Sequence, residues 1–521
     1  MTGDTIPMAP VLERISDYPA HFAAIAPNRE AVIFGARRLT YAELAARIRM
    51  CGKALMAAGV ARGDRVALLG NPSPEFLTVF LATASIGGLW LGLSPRYKID
   101  EYRYLLDDAR PRVLMAISEF EGRDYRVDLD ALAAEMPFIE TRLDLADLDA
   151  FLRSGDGVSD TDYDARRDGT TGRDAALIVY TSGSSGKPKG AVLSHHGLSF
   201  GNAVQGRAFG VDLPRAICPF PINHVACVGD TCCTTLIRGG TLVFLERFDP
   251  RIVLSTIERE RISLWIGVPT MFILAADTPE FGKTDLSSLA AMIWGGAPMP
   301  RDYIARLAAL GVRLVTLYGL TETTSDMTFT DPDADVDTLA ETVGRPAPEY
   351  SCRIVRDDGT PCADGEEGEF QFRGDFVMLG YFNRPEESRA AFTDDGWLRS
   401  GDLGYRRADG NLVFAARKSE MFKSGGFNVY PREIEDVIET HPDVALAGVI
   451  GVPDPLYREV GEAYILRRAG SPLDAGAVSQ WCRERLANYK VPKRFFVRDE
   501  LPMLPVGKID KARLKREAAG Q

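Results

Sequence analysis

Three features of the chain predict an α/β fold in more than one domain. Short apolar strand patterns alternate with helical ones, as in βα units built around parallel strands. The 521 residues exceed what one ordinary core holds. Residue character also changes near Gly401, where Tyr405, Gly410 and Leu412-Val413-Phe414 lead into a lysine- and glycine-rich crossing.

Taken in order, Thr40-Tyr41-Ala42-Glu43-Leu44 fits a helix opening, Asp64 to Leu69 a strand and Glu75 to Ala84 a helix. The polar segment Ser154 to Arg173, rich in Asp, Gly, Thr and Arg, has turn chemistry and reads as a loop. It runs into Ala175-Ala176-Leu177-Ile178-Val179, a buried strand, and a second ordered element follows at Ala191 to His195. Further units recur at Thr241 to Leu245, Ser263 to Ile266 and Arg313 to Leu317. Beyond the change of character, Ala447 to Val452 reads as a strand, and Glu433 to Thr440 and Ala477 to Leu486 as helices.

The composition, 45% apolar and 26% charged, is that of a soluble globular protein. A net charge of −12 argues against nucleic acid as the main partner, since the phosphate backbone wants a basic face. Met1 to Pro10 lacks a basic segment followed by an apolar run, and nowhere do about eighteen apolar residues run uninterrupted. The expectation is a cytoplasmic chain with no transmembrane segment, and a homodimer is compatible with it. Eight cysteines and five histidines show no Cys-x-x-Cys or His-x-x-x-His spacing, which points to buried thiols in a reducing compartment.

The stretch richest in chemistry is Tyr180, Thr181, Ser182, Gly183, Ser184, Ser185, Gly186, Lys187, Pro188 and Lys189. Glycines let backbone N–H groups approach anionic oxygens, hydroxyls add donors, and two lysines add charge. This composition suits a polyphosphate; a flexible linker is the alternative. It is not a Walker A loop, because two residues rather than four separate Gly183 from Gly186-Lys187.

Further motifs follow: Leu317-Tyr318-Gly319-Leu320-Thr321-Glu322, Ser400-Gly401-Asp402, Arg417 to Glu435, and Pro505-Val506-Gly507-Lys508. In this order the set resembles the adenylate-forming superfamily, which includes acyl-CoA synthetases, carrier-protein-loading adenylation domains and beetle luciferases. It is most similar to the fatty-acid and aryl-acid CoA ligase branch. The resemblance implies a large N-terminal domain of parallel-rich sheets and helices over residues 1–417. A small mobile α+β lid would follow over 418–521. The implied reaction is attack of a carboxylate on ATP to give an acyl-adenylate, then thioester formation with CoA. Transfer to a carrier protein's pantetheine, and an inactive nucleotide-binding protein, are the rival readings.

The resemblance implies roles residue by residue. Lys508 would bridge carboxylate and α-phosphate, where charge develops. Glu322 would hold Mg²⁺, with Thr181 and Thr321 as oxygen donors. Tyr318 and Gly319, with Gly295, Gly296 and Ala297, would flank the adenine. Asp402 and Arg417 would reach the ribose. His224 would gate or position at the acid rather than act as a base. Lys423, Gly425 and Gly426 would line the pantetheine tunnel after the lid turns. The acid would meet Val225, Ala226, Gly229, Asp230, Ile266, Trp294, Thr324, Ser325 and Met327. Trp294 should shorten the pocket. Asp230 either caps a helix or meets a polar group of the substrate. Ser419 stands where the family has a charged hinge residue, which leaves rotation expected and the pivot open.

Overall fold

The computed structural model describes residues 10–181, 187–425, 427–468, 470–504 and 507–520. Two large sheets carry most of the chain. In one, Gly380–Tyr381, Lys189–Ser194, Ala175–Thr181, Leu89–Leu93, Arg65–Leu69, Val113–Ala116 and Thr141–Asp144 lie side by side in that order. Its middle is parallel, with Leu69 opposite Leu93 on one side and Ala116 on the other. The second runs Arg345–Pro346, Asp326–Phe329, Arg313–Gly319, Ala291–Gly295, Leu264–Gly267, Arg215–Cys218, Thr241–Phe244, Glu30–Phe34 and Arg37–Thr40. Its middle strands are parallel too.

The helix Pro74–Ser85 is buried at every position except Glu75, because its sequence offers no polar face. It lies between the sheets: Phe76 meets Trp90 of one and Phe244 of the other, with ring centroids 5.3 and 6.0 Å away. Ser73 Oγ caps its start by accepting from the Phe76 N–H. The second inner helix, His195–Phe209, starts on Ser194 in the same way and stops at Gly210, whose φ of +62° ends the helix in a left-handed turn. The expected opening at Thr40 is a full capping box on the helix Tyr41–Ala57.

The loop expected over Ser154 to Arg173 is a correction. It contains the helix Asp160–Asp168. Ser159 Oγ accepts from the Asp162 N–H, Asp160 and Asp162 sit in the first turn, and Arg166 and Arg167 sit in the last. Tyr163 supplies the one buried anchor, its hydroxyl 3.1 Å from Ser85 Oγ. Polar composition hid a helix made by its ends.

A third sheet, antiparallel, orders Ser351–Val355, Gly368–Arg373, Leu398–Arg406 and Leu412–Arg417, and its register sets Asp402 opposite Arg417. The chain then turns over 418–420, with the Glu420 and Met421 N–H groups both donating to the Arg417 carbonyl. It enters another sheet, Phe427–Val429, Phe422–Ser424, Arg458–Arg467 and Val444–Asp454, with Arg494–Arg498 parallel beside Arg458–Arg467. This C-terminal unit has its own apolar cluster around Phe422, Ile434, Ile438, Val449 and Ile465. Its helices Pro431–Glu439 and Ala475–Arg485 fall where the spacing puts them.

Six cysteines are buried, among them Cys218, Cys227 and Cys232, whose thiols come within 4.8 Å of one another. Among the described residues no helix is long and apolar enough to cross a membrane.

Candidate active site

Lys189 lies opposite Thr181 in an antiparallel pair, so the Gly/Ser run joins two fixed strand ends. Ser182, Gly183, Ser184, Ser185 and Gly186 themselves lie outside the described residues. Thr181 Oγ1 is 3.5 Å from the Lys189 carbonyl. The ammonium groups of Lys187 and Lys189 stand 5.7 and 5.4 Å from the ring centroids of Tyr104 and Tyr381. The Tyr381 hydroxyl donates to Glu322 Oε1 at 2.8 Å. Lys189, Tyr381 and Glu322 therefore form one chain of contacts. Glu322 and Thr321 sit in a tight 3₁₀ turn, Thr321–Thr323, rather than at the start of a helix.

A second group forms across the third sheet. The Tyr318 hydroxyl donates to Asp402 Oδ2 at 2.7 Å, and Arg417 Nε lies 3.2 Å from Asp402 Oδ1. Burial raises the Asp402 carboxyl, with the Arg417 charge and the Tyr318 hydroxyl pulling it back. Burial, then Asp402, pushes the Tyr318 phenol far above its usual range. Phe370, Phe372 and Phe414 surround the Tyr318 ring at 5.8, 6.0 and 6.4 Å.

Lys508 reaches this place from the far end of the chain. The Gly507 carbonyl accepts from Thr270 Oγ1 at 2.7 Å, and the lysine then passes over Gly296. A methyl group added at Gly296 would lie 2.5 Å from Lys508 Cε, so the glycine makes room for the lysine. Burial first, and the Arg417 charge second, lower the Lys508 ammonium to about 8, against the pull of Asp402, Asp326 and Glu420. Burial and the Lys508 charge lower His224 to about 3, so its ring is neutral near pH 7. His224 Nδ1 accepts from the Ala226 N–H at 3.1 Å, which leaves the ring proton on Nε2.

The residues expected around the acid lie on neighbouring segments. Val225 is followed by the π-helical segment Ala226–Cys233, which carries Gly229 and Asp230. A methyl group at Gly229 would come 3.3 Å from the Thr324 carbonyl, so this segment packs directly on the one holding Thr324, Ser325 and Met327. Thr324 has a φ of +65°, and its buried hydroxyl has no hydrogen-bond partner among the described residues. Ser325 Oγ meets the Tyr350 hydroxyl at 3.3 Å, and Met327 is fully buried. Ile266 and Trp294 are buried on adjacent strands, Trp294 edge-on to Phe272 with its indole N–H unpartnered among the described residues. Gly295 lies against Leu317, and Ala297 is exposed. The capping alternative for Asp230 is corrected: it sits inside a helical segment that continues into Thr234–Ile237, not at a start.

Residues 20–382 match the family model for the AMP-binding enzyme, and 433–508 match the AMP-binding enzyme C-terminal domain. The chain belongs to the AMP-binding enzyme family. Within this family it is 37% identical to a feruloyl-CoA synthase of an Amycolatopsis species over 515 residues, covering 96% of this chain and 98% of that one. It is 37% identical to an indoleacetate–CoA ligase of Aromatoleum aromaticum over 506 residues, 95% and 96% of the two chains. The crystal structure of ATP-bound MatB from Rhodopseudomonas palustris matches with a TM-score of 0.86 at 29% identity, over 97% of this chain and 99% of that chain. The two-part α/β fold is thus the family's.

Lys423 and Gly425 are not part of the Lys508 cluster. They sit on the C-terminal sheet, where the Lys423 N–H donates to Glu459 Oε2 at 3.1 Å and the Gly425 N–H to the Tyr457 carbonyl at 2.9 Å; Gly426 lies outside the described residues. Three residues that interact with the candidate groups were not legible in the sequence: Tyr381, Thr270 and Asp326. Each makes its contact with a residue remote in sequence or in a turn, and none stands in a motif of its own.

Proposed function

We propose that the cluster around Lys508 activates an aryl-substituted carboxylic acid. The enzyme is an AMP-forming acid–thiol ligase: the acid displaces pyrophosphate from ATP to give an acyl-adenylate, and the CoA thiol then displaces AMP. The observation that carries the proposed site is Lys508, held over Gly296 beside neutral His224 and the Asp402–Arg417 pair. A lysine aimed there meets the charge that grows on the α-phosphate. Asp402 accepts from the ribose, and the Arg417 charge opposes the rise that burial imposes on its carboxyl. Gly295, Gly296, Ala297, Tyr318 and Gly319 flank the adenine, and Thr181, Lys187 and Lys189 face the phosphates. Glu322 is partly exposed and steadied by Tyr381, which fits Mg²⁺, a cation that takes one or two protein oxygens beside phosphates and waters. Bound there with Thr181 or Thr321, Mg²⁺ would neutralise phosphate charge.

The domain border follows Arg417, with 418–521 rotating as a lid about the 417–420 turn between the two steps. Lys423 and Gly425 then come to line the thiol's path. An aryl acid is favoured because two similar relatives are named for feruloyl and indoleacetate substrates, and because Trp294, at a position that the family resemblance assigns to the acid, would take space that a long straight chain needs. Pyrophosphate release with aryl, medium-chain and long-chain acids, with and without CoA, tests this. The expected result is release without CoA in a first turnover, continued turnover with CoA, and the highest kcat/KM for aryl acids. Preference for long-chain acids overturns the acid class.

A further inference from the structure

Two buried carboxyls lie on neighbouring segments where the acid is proposed to bind, and neither has a role in the chemistry above. Asp230 is 9% exposed and Asp326 is 7% exposed. Gln205, buried in the helix His195–Phe209, ties their main chains together: its Oε1 accepts from the Asp326 N–H at 3.1 Å, and its Nε2 donates to the Asp230 carbonyl at 3.3 Å. The contact of Gly229 with the Thr324 carbonyl presses the two segments together from the other side. Asp326 Oδ1 lies against Gly319, while its Oδ2 is buried with no hydrogen-bond partner. Among the described residues nothing donates to that oxygen.

Such an arrangement is costly unless something outside the chain completes it. Burial raises both carboxyls: the Asp326 charge adds to the rise at Asp230, and the Lys508 charge pulls against the rise of Asp326 to about 7. The reach of the Lys508 charge to Asp326 puts this carboxyl near the lysine, and both carboxyls lie on the segments expected to surround the body of the acid.

We infer that Asp326 and Asp230 form a receptor for a hydrogen-bond donor, a hydroxyl or ring N–H, carried by the substrate acid away from its carboxylate. The inference rests on the proposed acid pocket and narrows its substrate class to aryl acids bearing such a donor. Donor recognition by a buried acceptor discriminates strongly, because an analogue without the donor leaves the acceptor unpaired.

The test compares matched aryl acids bearing a ring hydroxyl, a hydrogen or a methoxy group at the same position, by kcat/KM for pyrophosphate release. Wild-type enzyme should favour the hydroxy acid over both others by on the order of a hundredfold. Asp326→Asn and Asp230→Asn, close in shape, should each cut that preference by about tenfold or more, and Asp326→Val should raise use of the deoxy acid. The wild-type comparison needs no variant to fold. Equal use of hydroxy and deoxy acids by wild type, or a preference unchanged in all variants, overturns the receptor and leaves acid activation intact. Absence of pyrophosphate release with every acid overturns the pocket as well.

Discussion

At the scale of single residues, the decisive property of Lys508 is its charge. Burial beside Arg417 lowers its ammonium to about 8, so the site holds a cation below that pH and loses it above. Because kcat/KM reports the free enzyme, pyrophosphate release should be level below pH ~8 and fall by about tenfold per unit well above it. In Lys508→Arg the guanidinium stays charged, so whatever activity survives the altered shape should lack this fall. A fall at the same pH in both would assign the titration to another group. Gly296 offers a second test. Its φ of +79° and the 2.5 Å approach of a methyl group to Lys508 Cε mean that Gly296→Ala strains the turn and pushes the lysine out. Pyrophosphate release should drop by about two decades, with thioester formation from a supplied acyl-adenylate changed much less. Lys508, Glu322, Asp402 and Arg417 could be picked out as candidates because each stands in a contiguous motif. Asp326 and Tyr381 could not, because what makes them notable is a neighbour reached only by folding: Asp230 for one, Glu322 for the other.

At the scale of elements, apolar patterning did most of the predictive work. The strands Arg65–Leu69, Ala175–Thr181 and Arg313–Gly319 and the helix Pro74–Ser85 lie within a residue or two of their expected places, since each is buried along its length. The helix Asp160–Asp168 escaped notice because it buries one side chain, Tyr163, and depends on its cap and terminal charges. Ser159→Ala should therefore cost about 1 kcal/mol of local stability. Amide exchange over 160–168 should speed up about fivefold while Pro74–Ser85 is unaffected; no change would mean that Tyr163 alone holds the helix. The capping alternative for Asp230 arose for a related reason. Nothing in its immediate sequence shows that a π-helical turn already runs through it.

At the scale of the whole molecule, the two parts of the chain are held together at distinct points in this arrangement. Thr270 donates to Gly507, while Arg468 reaches the Tyr303 hydroxyl at 2.9 Å and Asp302 at 3.0 Å. These contacts accompany Lys508 in the site and leave Lys423 and Gly425 on the far sheet. Thr270→Val, which loses a hydrogen bond worth about 1 kcal/mol, should slow acyl-adenylate formation about fivefold and leave the thiol step unchanged. Equal slowing of both steps would detach that contact from the first step. The central claim, that Lys508 serves the first step alone, is tested most directly by measuring both half-reactions of Lys508→Ala separately. Acyl-adenylate formation should fall by two to three decades, about 3–4 kcal/mol of barrier, while thioester formation from supplied acyl-adenylate and CoA stays near the wild-type rate. An equal loss in both half-reactions would contradict the account.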